Sequence, residues 1–119
     1  MNKNNYLREL QNQEIDESKV KKIEKLYKCT LADDVKRIIS NCDETIFFDD
    51  DDFRVLSFDE ILEAEEDLDV EFRKEKMIPL IDCMDNDFIV YKTDTRTWMI
   101  YNIEDEIDSE EADSLEELL

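Results

Sequence analysis

The sequence predicts a single α+β domain: N-terminal helices, a mainly antiparallel sheet and a C-terminal helix. Three observations predict it. Apolar residues recur at intervals of three and four between residues 20 and 42, the period of a helix with one buried face. The runs then shorten into strand-like segments broken by aspartates, with one strong helix start at residues 57–60 between them. After Pro79, three apolar runs are separated by turn-forming residues, the pattern of a β-meander. At 119 residues the chain is long enough for one real core and too short to split comfortably.

Residues 1–16 are polar and rich in Asn and Gln, and are expected to form a mobile lead-in to a domain spanning 17–119. From Ser18 the pattern is helical, with Val20, Ile23 and Tyr27 on one face. Thr30 with Asp33 resembles a capping box opening a second helix, on which Val35, Ile38, Ile39 and Cys42 share a face. Asn41, Cys42 and Asp43 are the expected stop, with Asn41 taking the left-handed conformation usually left to glycine. Residues 45–48 and 53–56 are expected as short strands. Ser57 and Glu60 form a strong capping box for a helix carrying Ile61, Leu62, Ala64 and Leu68 and reaching toward Phe72. Pro79 biases Ile78 toward an extended backbone, so 77–83 is expected as a strand entered at its edge. Asp85, Asn86 and Asp87 supply a turn, and 88–91 and 97–101 flank a hairpin connection at 93–96. Residues 109–119 are expected as a last helix turning Ala112, Leu115, Leu118 and Leu119 toward the core.

Charge and missing residue types narrow the function. Thirty-five Asp and Glu against fifteen Lys and Arg leave a net charge of −20, with no histidine and no glycine. Such a field draws cationic partners and repels nucleic acid and anionic membranes. Phosphate-cradling loops and dinucleotide fingerprints need glycine, so neither is present. Ser-His or Cys-His pairs and imidazole metal sites need histidine. Cys29, Cys42 and Cys83 are odd in number and widely spaced, forming neither a disulfide framework nor a zinc half-site. They are expected as small buried hydrophobes in a reducing compartment. The chain begins without a signal-peptide apolar stretch, and no run approaches the ~18 apolar residues of a membrane span, so a cytoplasmic location is expected. No cofactor, no metal and no enzymatic activity are expected.

Asp49, Asp50, Asp51 and Asp52 lie between two short strands, either facing Lys and Arg of a partner in charge-assisted pairs or keeping a turn solvated. Counted from Asp49, Asp51 and Glu60 match calcium-loop positions, but Phe53 stands fifth and Arg54 replaces the sixth glycine, which argues against calcium. Asp82, Asp85 and Asp87 crowd a second turn, with Tyr91 and Tyr101 nearby as candidate binding anchors. Trp98 is expected in the core. Glu104, Asp105 and Glu106, like Glu110, Glu111 and Asp113, are expected on a solvated surface or at the last helix's N-terminus.

Several strings in order resemble the SUKH superfamily, which includes the fungal Smi/Knr regulators and many bacterial immunity proteins. Ile23-Glu24 followed by Leu31-Ala32-Asp33-Asp34-Val35-Lys36 is similar to the family's opening. Asn41-Cys42 stands where the family often has Asn-Gly, and Leu56-Ser57-Phe58-Asp59-Glu60-Ile61 resembles its Leu-Ser-x-x-Glu-Ile segment. Ile78-Pro79-Leu80, with Asp87-Phe88-Ile89-Val90-Tyr91 after it, is similar to the family's Ile-Pro-Ile strand and acidic turn. Ser114-Leu115-Glu116-Glu117-Leu118-Leu119 resembles its closing segment. The likeness covers about residues 20–119; Ala32 stands for the family's proline, and glycines are missing near Cys42 and Met84. What the resemblance implies is binding without catalysis: an immunity protein that neutralises a cognate toxin domain, commonly a nuclease and expected to be basic, as a monomer or weak homodimer. The alternative it implies is a regulatory adaptor of the Smi/Knr type.

Overall fold

In a computed structural model, residues 1–109 and 111–119 are described. Three helices come first: α1 (Lys3–Leu10), α2 (Glu17–Tyr27) and α3 (Asp33–Ser40). Strands β1 (Ile46–Phe47) and β2 (Arg54–Val55) follow, then α4 (Phe58–Leu68) and the single-turn α5 (Phe72–Glu75). The chain closes with β3 (Met77–Asp82), β4 (Asp87–Lys92), β5 (Thr97–Asn102), β6 (Ile107–Asp108) and a 3-10 turn, Leu115–Glu117. The six strands form one antiparallel sheet in sequence order, so the protein is α+β.

Local chemistry explains most boundaries. Asp16 caps α2 by accepting from the Ser18 and Lys19 amides, and Lys28 ends it in the left-handed conformation. The capping box at α4 is complete: the Glu60 amide donates to Ser57 Oγ, and the Ser57 amide donates to Glu60 Oε1. Pro79 stands where β3 has no partner on its β2 side, since β2 pairs only with Ile81 and Asp82, and the β3–β4 register shifts between Pro79 and Ile81.

Both faces of the central strands are buried. Tyr91 and Trp98 face each other across β4 and β5, both 1% exposed, with ring centroids 5.2 Å apart and edge-on. The other face carries Phe88, Val90 and Met99, all buried, with half-buried Tyr101. Burying each such aliphatic or aromatic side chain contributes about 1.5–3 kcal/mol, which is what holds so repulsive a chain together.

Four expectations are corrected. The chain before residue 17 is not a bare lead-in: α1 inserts Tyr6 and Leu10 into the core, and Tyr6 packs edge-on against Phe48. Thr30 and Asp33 make no capping box, because the helix starts two residues later than that box requires; Ala32 is the N-cap and forms no side-chain cap bond. Asn41 is not left-handed (φ −126°), and its side-chain Nδ2 instead donates to the carbonyls of Glu14 and Arg37. The last helix, expected over 109–119, is replaced by a bridge between Ala112 and Trp98 and the 3-10 turn that buries Leu115. Trp98 trades backbone hydrogen bonds with Ala112 at 2.8 and 2.7 Å, and this pairing outcompetes helix in residues whose apolar spacing suits either. Glu110, expected on that helix, lies outside the described residues.

Candidate protein interface

A meander returns its turns to alternating ends of the sheet. The connections β1–β2, β3–β4 and β5–β6 therefore share one end, and β4–β5 lies at the other. The first three carry, in order, Asp49 to Asp52; Asp85, flanked by Asp82 and Asp87; and Glu104, Asp105 and Glu106. The two acidic clusters singled out in the sequence thus come to one end, and a third joins them. The only sequence signal for the third was the strand count between turns.

This end is built from linked parts. Arg54 Nη2 lies 3.0 Å from Asp82 Oδ2 and its Nη1 lies 2.8 Å from Glu60 Oε2, tying β2 to β3 and α4. Thr45 Oγ1 donates to Glu60 Oε1 at 2.7 Å. Burial opposes charge on Glu60, yet the bonds from Thr45, the Ser57 amide and Arg54 hold its carboxyl down at about 2. Asn102 Nδ2 donates to Asp87 Oδ1 at 2.8 Å, while its Oδ1 accepts from the amides of Glu104 and Asp105. Asn86 Nδ2 donates to Glu104 Oε2 at 3.0 Å, so the second and third turns are directly bonded.

The aspartate run is partly engaged by the chain itself. Lys3 Nζ donates to Asp51 Oδ2 at 2.8 Å and the Lys3 amide to Asp50 Oδ1 at 3.2 Å, docking α1 onto the first turn. The hydrogen bond from Lys3 holds the Asp51 carboxyl below its usual range. Asp49 contacts Met1 through its carboxylate and its backbone amide. Asp52 is exposed and its side chain forms no ion pair among the described residues. Asp85 is exposed as well, and Asp82 and Asp87 are half-buried.

The tyrosines separate. Tyr91, expected to face a partner, belongs to the core: alternation places it opposite Trp98, under cover. Tyr101 is half-buried and lines a cleft of about 580 Å³ with Glu71, Glu75, Glu106 and Asp108.

Side chains that the sequence did not single out complete the surface. Among the described residues the exposed large hydrophobics are Met1, Phe47 (67% exposed), Met84 (49%) and Ile107 (64%). All four flank the acidic turns: Met1 bonds to Asp49, Phe47 precedes the first turn, Met84 lies within the second, and Ile107 follows the third. Five inter-strand steps of about 4.8 Å separate β1 from β6, a span of ~24 Å that suits a standard protein interface.

Among the described residues, no group of Cys, Asp and Glu side chains is arranged to hold a metal ion, and no helix is long and apolar enough to cross a membrane. No family model matches this chain, and no curated protein or solved structure is significantly similar to it.

Proposed function

We propose that this protein is a cytoplasmic, non-catalytic immunity protein that neutralises a basic toxin domain with the acidic end of its sheet. One observation carries the reading: exposed apolar side chains and three acidic turns coincide at one end, while solvated charge alone would not collect Phe47, Met84 and Ile107 there. Apolar anchors inside a charged rim are the usual anatomy of a protein interface, the anchors holding the complex and the rim steering the encounter. A nuclease active site is basic because it holds phosphates, and a rim of carboxylates matches it. The SUKH-like strings described above favour the same role.

The test looks beside this gene for one encoding a large secreted protein and takes the C-terminal domain of that protein as the partner. Co-expression is expected to protect cells and to yield a stable complex, with association slowing as salt rises from low to physiological. A partner that binds at this end without being toxic would make the protein an adaptor instead. Failure to bind and to protect would overturn the immunity role.

A further inference from the structure

The opposite end of the sheet has the opposite character. The chain as a whole carries a net charge of −20. Within so acidic a background, Lys28, Arg73, Lys76 and Arg96 converge on one cleft of about 460 Å³ beside the β4–β5 turn. They come from three separate parts of the chain: the end of α2, the α5 turn and the hairpin.

Their backbones are fixed. Lys28, Lys76 and Arg96 are all left-handed, with φ of 54°, 58° and 60°. The Cys29 amide donates to Glu24 O, Thr93 N–H to Lys76 O at 2.9 Å, and Arg96 N–H to Lys92 O at 2.9 Å, so each cation leaves a bonded turn. None of the three forms an ion pair among the described residues. Arg73 engages Glu65 through Nε, which leaves its two terminal nitrogens to the cleft. The one carboxylate in the lining, Asp94, is matched by Lys92 at 3.9 Å. Helix C-termini favour cations, and that accounts for Lys28 and Lys76 singly. It does not account for Arg96, which lies in a hairpin, or for the convergence of all four.

We propose that this cleft binds a phosphate monoester dianion. Two lysines and two arginines exceed what a single carboxylate needs, and the arginine fork suits phosphate oxygens. An extended nucleic acid would lie across the acidic remainder of the surface. A compact dianion senses chiefly the charges within one Debye length of about 8 Å. The same group occurs on free small molecules and on phosphorylated side chains, and the two sources are separable by experiment.

Inorganic phosphate and a phosphoserine peptide are titrated into the protein at constant ionic strength, with backbone amide NMR shifts as the readout. The expected result is saturable shifts confined to Lys28, Thr30, Lys76, Thr93 and Arg96, weaker at pH 5.5 than at pH 7.5 because the second ionisation lies near 6 for phosphoserine and about one unit higher for inorganic phosphate. Tighter binding of the peptide identifies a protein-borne phosphate, and equal binding a free one. The double variant Lys76→Asn/Arg96→Asn removes two charges while keeping residues that tolerate the left-handed backbone, and is expected to weaken binding at least about tenfold. Lys22→Gln/Lys25→Gln removes the same charge from the exposed part of α2 and is expected to leave binding unchanged. Absence of saturable shifts with either probe, or equal weakening in both double variants, overturns the site.

Discussion

Arg54 Nη2 and Asp82 Oδ2 meet at 3.0 Å as direct partners in the β2–β3 pairing, and the same guanidinium reaches Glu60 on α4. One cation therefore neutralises two partly buried carboxylates where strand, strand and helix join. Arg54→Met keeps the aliphatic stem and leaves both acids unmatched. It is expected to cost about 2–3 kcal/mol by urea unfolding, against little change for the exposed Lys74→Met. Equal stability of the two variants would show that the junction is held by packing alone.

The Glu60 carboxyl is depressed from 4.5 to about 2 in the folded protein. A depressed acid stabilises the fold fully above its unfolded value and loses that contribution as pH falls through the folded one. Gln at this position retains a working capping box, so Glu60→Gln isolates the charge. The stability gap between the wild type and Glu60→Gln should be constant near neutrality and close between pH 4.5 and about 2. A gap unchanged across that range would mean that Glu60 acts as a cap and not as an ion.

Phe47 and Ile107 leave water only if a partner covers them. Phe47→Ser and Ile107→Ser are expected to shift stability by less than about 0.5 kcal/mol, as substitutions at exposed positions do, and to raise the partner dissociation rate at least tenfold each. Asp52→Asn should slow association and leave dissociation nearly unchanged. Asp51→Asn should also lower thermal stability, because Asp51 holds Lys3 and with it α1. Surface plasmon resonance separates the two rates, and an unchanged dissociation rate in both serine variants places the interface elsewhere.

Tyr91 carries a buried hydroxyl that the Arg96 guanidinium approaches, with no close hydrogen-bond partner among the described residues. Tyr91→Phe removes that poorly met group and keeps the ring on Trp98, so it should change stability by no more than about 1 kcal/mol. A loss of more than that in chemical unfolding would show that the hydroxyl is satisfied in solution.

Among the described residues eight have positive φ, including Asp69, which ends α4, and Glu106 in the third acidic turn. Left-handed backbone costs about 1–2 kcal/mol for most residues and almost nothing for glycine. Asp69→Gly should therefore raise the melting temperature, as should Glu106→Gly. Only Glu106→Gly alters the acidic end, so only it should also slow partner association.

The helices and hairpins legible in the sequence were those whose signals are local. Ser57 and Glu60 satisfy each other within one turn, and residues 93–96 turn on their own composition. What escaped needed a distant partner. Nothing in residues 3–10 announces that Tyr6 meets Phe48, and nothing in 109–119 announces that Ala112 pairs with Trp98. The candidate surface divides the same way: the acidic turns were visible as strings, but their shared end follows from strand parity, and the exposure of Phe47, Met84 and Ile107 only from the folded sheet. Alternation names two faces without saying that both are covered, which is why the burial of Tyr91 is not legible from its strand.

Strand parity also separates what can vary from what must not. Pairings such as Ile89 with Ile100 and Val90 with Met99 fix the register from inside the core, and the three acidic connections lie beyond the last of these pairs. Residues can be exchanged there, and in part inserted, without moving the register. Were the acidic end the recognition surface, as proposed, a lineage would thus rewrite it while inheriting its architecture intact.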